Sequence, residues 1–268
     1  MLLFEKEHQF VEGVFLLKLT TPIHPSLIAM SKGINNLSED IKAFEFCTPT
    51  SESKIENECT FVFNNDDIFY YTLYFHQNDE TYELIIKSYQ HCAHFFLNFL
   101  KQLYAVFCDV KSAYEPVNFF ELAKILISDW PTKLDNTMNI VFPTSMRQVE
   151  FTSSDFSYQH FKPSKFFPSK LYLQIFTYLI SARPILIKSP DAPTACKACF
   201  SAFSLLHPLR YSDPMILWLR KDDPRYSEIM KAENKSPYFV VATDDISEIE
   251  SKFDLVLNCS EILKTNEK

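Results

Sequence analysis

Residues 171–219, LYLQIFTYLISARPILIKSPDAPTACKACFSAFSLLHPLRYSDPMILWL, decide the fold class. In LYLQIFTYLISA (171–182), Leu171, Ile175, Tyr178, Leu179 and Ala182 recur at helical spacing. Arg183-Pro184 stops the helix, because proline lacks the N–H that would continue the ladder and pushes the residue before it out of helical geometry. PILIKS (184–189) is too short for a helix and apolar without alternation, which predicts a strand buried on both faces. Asp191 then offers an N-cap to the segment 192–206, whose Cys196, Cys199, Phe200, Phe203 and Leu206 form one face. MILWL (215–219), YFVVA (238–242) and FDLVLN (253–258) follow as further short apolar tracts. A strand, a helix and then more strands is the pattern of β–α–β units, and so of an α/β fold.

Upstream, the pattern changes to antiparallel strands followed by a helix. CTFVF (59–63), FYYTLYFH (69–76) and YELIIKS (82–88) are separated by NNDD (64–67) and QNDE (77–80), polar clusters suited to hairpin turns although they lack glycine. The run VEGVFLLKL (11–19) is followed by Pro22 and Pro25, which are expected to forbid an extended ladder there. On a helix over 91–107, Phe96, Phe99, Leu100, Leu103 and Phe107 make a stripe able to cover a sheet face. Pro116 suits the first turn of a short bridging helix carrying Phe119, Leu122, Ala123 and Leu126, closed before Asp129-Trp130-Pro131. Residues 144–168 show no clear period, carry Arg147, Lys162 and Lys165 with Lys170 just beyond, and read as a surface loop linking two domains.

Composition narrows the function. A chain of 268 residues with 47% hydrophobic and 15% aromatic side chains can build a large core without staples. The net charge of −8 and pI near 5.4 argue against nucleic acid, which needs clustered Lys and Arg, and no basic stripe is evident. Seven cysteines, an odd number scattered through apolar tracts, point to a reducing compartment. MLLFEKEH does not read as a signal peptide, and the apolar stretch 171–182 is too short to span a bilayer, so a soluble cytoplasmic protein is expected.

The chemical inventory is equally restrictive. With only Gly13 and Gly33, neither a phosphate-cradling loop nor a dinucleotide fingerprint can be built, and no cofactor is expected. Cys196-Lys-Ala-Cys199 lacks the second pair that a zinc site would want and lies inside a helix, so it reads as core; no metal site is expected. His91 and His94 are read as helix-surface histidines. The pairs Asp66-Asp67, Asp222-Asp223 and Asp244-Asp245 adjoin strand ends, where carboxylates cap or solvate turns rather than perform acid–base work.

The succession of segments resembles the DENN module, the Rab-regulating domain found in differentially-expressed-in-normal-and-neoplastic-cells proteins. RPILIKSP (183–190), SAFSLLHPLRYSD (201–213), MILWL (215–219), SPYFVVATDD (236–245) and FDLVLNC (253–259) are similar, in order, to segments of its core. IKAFEFCTP (41–49), CTFVFNNDDIFYYTLYFHQ (59–77) and YELIIKSYQHCAHFFLNFLKQLYAVF (82–107) are similar to its upstream part, which has a longin fold in the family. The resemblance spans roughly Phe10 to Cys259; each motif is degenerate and only their order is specific. It implies an α/β chain of two lobes: a longin-like upstream domain over 1–110, a bridging helix and linker over 111–160, and a core DENN domain over 161–268.

The same resemblance implies a guanine-nucleotide exchange factor for a Rab-family small GTPase. Such a protein needs no covalent catalysis, since exchange works by binding the nucleotide-free GTPase more tightly than the loaded one. In the family the GTPase docks between the two lobes, and the positions here that match core segments at strand ends are Arg210, Tyr211, Asp213, Thr243, Asp244 and Asp245. The family's aromatic turn is replaced by PLRY (208–211), its glycine by Val241 or Ala242, and its downstream helical segment has no counterpart after Cys259; these departures bear on activity more than on fold. The alternative is a non-catalytic longin-DENN scaffold that pairs with another longin-DENN protein. Either would place the protein in the cytoplasm with peripheral access to endomembranes.

Overall fold

Strand-forming runs separated by two-residue turns dominate the first half of the chain. The computed structural model describes residues 9–20, 24–31, 37–47, 58–109, 115–133, 135, 137–151, 156, 158–243 and 247–259. They fall into two units, Met1–Val62 with Asp67–Asp155, and Phe63–Asp66 with Phe156–Lys268. The chain is mixed α/β, with an antiparallel sheet, a parallel sheet and helices.

β1 (Gly13–Thr20), β2 (His24–Met30), β3 (Cys59–Asn65), β4 (Ile68–Gln77) and β5 (Glu80–Ser88) form a five-stranded sheet in the order β2-β1-β5-β4-β3, which belongs to the first unit except for the end of β3 from Phe63 on, counted with the second. The turns do without glycine because Asp66, Asn78 and Asp79 take φ of 51°, 52° and 61°, a left-handed conformation that short Asx side chains tolerate. Helix α2 (Ala93–Asp109) covers one face, where Tyr71 stacks on Phe96 at 4.4 Å, and α3 (Pro116–Ser128) adds Phe119 edge-on to Phe75 at 5.3 Å. On the other face lies α1 (Leu37–Cys47), whose Phe44 meets Phe15 and Tyr70 edge-on. Its buried Asp40 accepts hydrogen bonds from Tyr70 Oη at 2.7 Å and Lys87 Nζ at 2.9 Å, so this charge is paired and further hydrogen-bonded, as a buried ion must be.

In the second unit, β8 (Ile185–Lys188), β9 (Met215–Leu219), β10 (Val240–Thr243) and β11 (Leu255–Asn258) form a parallel sheet in the order β11-β8-β10-β9. Ile185, Leu186 and Ile187 are all fully buried, which explains the continuous apolar run of β8. Helix α4 (Tyr172–Ile180) precedes β8 and ends with Ala182 at φ 49°; Arg183 N–H donates to the Tyr178 carbonyl and Ala182 N–H to that of Leu179, the paired bonds of a Schellman cap. Asp191 caps α5 (Ala192–Phe203) as its sequence position predicts, accepting from Thr194 N–H at 2.7 Å. Helix α6 (Pro224–Lys231) contributes Ile229 to a core shared with Leu186, Ile216, Leu219, Val241, Ile249 and Phe253.

Three expectations are corrected. Pro25 does not end the ladder: it pairs with Leu19 inside β2, an edge strand, where a missing N–H can face outward at no loss. Residues 144–168 are not one loop, because β6 (Thr137–Phe142) and β7 (Ser145–Glu150) pair as a hairpin, and in β6 Met138, Ile140 and Phe142 alternate inward. Together with α3 this hairpin lies in the first unit. His91 is buried rather than on a helix surface; it precedes α2 and meets Phe69 edge-on at 4.2 Å.

One side chain opposes the packing. Glu83, in the central strand β5 between Leu17 of β1 and Tyr74 of β4, is fully buried, and neither carboxyl oxygen has a hydrogen-bond partner among the described residues. Burial therefore holds its carboxyl well above the ordinary value of 4.5. The folded state binds this proton more tightly than the unfolded chain, so the associated stability is fully present below pH 4.5 and is lost as pH rises through the folded value. Glu83→Gln, a neutral isostere, is expected to match wild type in acid and to exceed it at neutral pH by about 2 kcal/mol. Denaturant melts across pH check this, and a variant that is less stable at neutral pH would contradict it.

Candidate functional site

Because β8, β9, β10 and β11 run parallel, their carboxyl ends lie together, and so do their amino ends. At the carboxyl ends Lys188 pairs with Glu250 at 2.9 Å and Lys221 with Glu248 at 3.2 Å, while Arg220 pairs with Asp222. Tyr226 donates to Glu248 at 2.6 Å; that bond, followed by burial, pushes its phenol up to about 12, while the bonds from Tyr226 and Lys221 hold the Glu248 carboxyl down. Thr243, at the end of β10, is fully buried and its hydroxyl donates to the Leu219 carbonyl at 2.9 Å. Thr243 therefore packs inside the unit and presents no surface to a partner. Asp244 and Asp245 lie outside the described residues.

Arg210, Tyr211 and Asp213 lie at the opposite end of the sheet, just before β9. Val240 is level with Met215 and Thr243 with Leu219, so Thr243 is separated from Arg210, Tyr211 and Asp213 by a strand length, roughly 13 Å. The four described residues, Arg210, Tyr211, Asp213 and Thr243, do not converge on one patch of this unit. Tyr211 is 2% exposed and stacks on Phe203 with ring centroids 4.4 Å apart and planes at 6°. Burial, with a smaller contribution from Asp213, pushes its phenol far up, and its hydroxyl has no hydrogen-bond partner among the described residues. Tyr211 is a packing residue, which leaves the partly exposed Arg210 and Asp213 as the surface groups here.

The other chemical candidates resolve into structure. Cys196 and Cys199 are fully buried in α5, and burial raises the Cys199 thiol well above its ordinary value, as for an inert apolar cysteine. Asp66 forms a turn, and Asp223 caps α6 through Arg225 N–H at 2.8 Å. Among the described residues no cluster of three His, Cys, Asp or Glu side chains could hold a metal, and no helix is long and apolar enough to cross a membrane.

What the sequence reading missed is a wide, open cavity of about 430 Å³ on the surface of the second unit, lined by Gln159, Phe161, Lys162, Pro163, Ser164, Tyr172, Ser204 and His207. Its signal was available in the sequence: no Asp or Glu occurs between Asp155 and Asp191, a local bias hidden by the net charge of −8. No protein-family model matches the chain, and no curated protein matches it.

The packing role of Tyr211 is testable. Removing an unpaired buried hydroxyl costs nothing in hydrogen bonding, so Tyr211→Phe is expected to leave stability within about 0.5 kcal/mol of wild type or to raise it, whereas Tyr211→Ala should lose about 3–5 kcal/mol. Thermal and denaturant melts of the two variants check this; a strongly destabilised Phe variant would show that the hydroxyl has a partner.

Proposed function

We propose that the chain is a DENN-type regulator of Rab small GTPases, promoting guanine-nucleotide exchange by stabilising the nucleotide-free GTPase. The observation that carries this reading is the order of segments in the second unit. RPILIKSP, MILWL, SPYFVVATDD and FDLVLNC each resemble a core DENN segment, and each contains one strand of a single parallel sheet. In this reading the five-stranded antiparallel sheet with α2 is the longin-like part. An inventory without nucleotide loop or nucleophile suits a reaction driven by differential binding alone. Arg210 and Asp213 are the recognition residues of choice, being charged, partly exposed and seated in the segment similar to a family turn.

Immobilised nucleotide-free Rab proteins should capture the chain, with loss of capture when GDP is restored. Arg210→Glu with Asp213→Arg should weaken capture about tenfold or more; because Arg210 Nε is buried, the stability control is Asp213→Arg alone, whose thermal midpoint should move little since surface charge contributes at most about 1 kcal/mol. Capture of no Rab would end the proposal, whereas capture that survives the double reversal would move the recognition site elsewhere on the chain.

A second reading, the non-catalytic longin-DENN scaffold, is favoured by one feature. On edge strand β2, Ile28 and Met30 are both 44% exposed, and an edge with apolar side chains is a template for another chain. Under that reading a captured Rab would show no faster release of labelled GDP.

A further inference from the structure

The segment that supplies most of the cavity lining in the second unit carries a local excess of positive charge in an acidic protein, with Lys162 in the lining and Lys165 and Lys170 following it in sequence. Between Asp155 and Asp191 the basic residues are Lys162, Lys165, Lys170, Arg183 and Lys188, with no acidic side chain among them. Arg183 is paired with Asp254 and Lys188 with Glu250. Lys162, Lys165 and Lys170 are exposed and have no ion pair among the described residues. They are held in place rather than trailing on a loop: Lys165 N–H donates to the Lys162 carbonyl at 3.1 Å and Phe166 N–H to that of Pro163 at 3.0 Å, with Phe166 and Phe167 buried beneath.

The cavity adds shape to that charge. Phe161 and Pro163 supply apolar wall; Lys162, Ser164, Tyr172 and Gln159 supply donors; and no carboxylate lines it. Ser204 donates its own proton to the Ser201 carbonyl, so the lysine, the imidazole of His207 and the other donors set the preference for an anion. The wall is braced by Tyr158, which stacks on Phe200 at 4.8 Å with planes at 7°. Three residues after Lys170 comes Leu173 at 76% exposure, and seven residues further, on the same face of α4, Ile180 at 57%. Lysines beside exposed aliphatic side chains are the combination that lies down on an anionic bilayer, with ammonium groups at the phosphates and the aliphatic groups entering the interface.

We infer that this face binds an anionic membrane surface, with Lys162, Lys165 and Lys170 on the lipid phosphates, Leu173 inserted between headgroups, and the cavity at Lys162 and His207 taking a phosphorylated lipid headgroup. A lipid fits better than a phosphopeptide because the unpaired lysines extend beyond the cavity and adjoin exposed aliphatic side chains. Membrane attachment through this face does not depend on the GTPase reading, and the two fail separately: the vesicle measurement below contains no GTPase.

The test is sedimentation of the full chain with phosphatidylcholine vesicles, with and without a phosphatidylinositol phosphate. Binding is expected only in the second case, falling with added salt. Lysines near an anionic surface each contribute about fivefold, so Lys162→Glu, Lys165→Glu and Lys170→Glu combined should lower vesicle affinity about a hundredfold or more. Leu173→Ser should weaken it severalfold without changing salt dependence, and the thermal midpoints of both variants should stay at the wild-type value because all four side chains are exposed. His207→Ala should narrow the preference for the phosphorylated lipid over phosphatidylserine. Equal binding by wild type and the triple variant would overturn the inference. So would failure to bind any vesicle, including the case in which a soluble inositol phosphate or a phosphopeptide binds instead.

Discussion

Edge strand β9 has β10 on one side only, and the backbone groups on its other side need partners. Asn64 supplies them: its amide donates to the Met215 carbonyl at 2.9 Å and accepts from Leu217 N–H at 2.9 Å, so one side chain does what a neighbouring strand would do. The Asn64 carbonyl in turn accepts from Arg225 at 2.8 Å, and Asp223 holds the same guanidinium through Nε and Nη2. Asp223 and Arg225 open α6, and α6 delivers Ile229 to the core over Leu186, Ile216 and Val241. The position of one helix, the closure of one sheet edge and the filling of one core thus meet at a single asparagine. Loss of one partner of a buried charge pair such as Asp223–Arg225 costs about 3–5 kcal/mol, which makes this network a poor place for variation.

The second constraint is the near absence of glycine. Among the described residues, left-handed positions fall to Asp66, Asn78 and Asp79 at hairpin turns, to Tyr158, and to Ala182 at the end of α4, where glycine is the usual occupant. The Asx residues accept that conformation at modest cost; Ala182 accepts it because two hydrogen bonds and Pro184 fix the chain around it. The same scarcity removes phosphate-binding loops from the available chemistry. Among the described residues of the second unit, the distinctive surface chemistry lies at the lysine-bearing segment 162–170 and at the ends of the parallel sheet.

The parts legible in the sequence are those whose cause is local. The β8 run announces itself because a strand covered on both faces has no polar positions, and Asp191 because a cap acts within three residues. The interior placement of Tyr211 and Thr243 is illegible for the opposite reason: one precedes a strand, the other ends one, both carry hydroxyls, and only stacking on Phe203 and the bond to Leu219 make them interior. Asn64 is indistinguishable from Asn65 by any local rule, since its partner Met215 is 151 positions away. β7 is hidden because it buries almost none of its described side chains, Met146 being 71% exposed, and because its pairing needs β6. The lysine face was hidden by arithmetic, a local excess of positive charge inside an acidic total.

Amide hydrogen exchange at Leu217 tests the closure of the β9 edge most directly. If Asn64 is the acceptor, the Leu217 amide exchanges in the wild type only with opening of the whole second unit, at the rate of the Ile187 and Val241 amides. In Asn64→Ala it should exchange by local opening, faster than those two amides by about tenfold or more, as expected for the loss of about 1.5 kcal/mol. A Leu217 amide that stays as protected in the variant as in the wild type, or that exchanges freely in the wild type, would contradict the account.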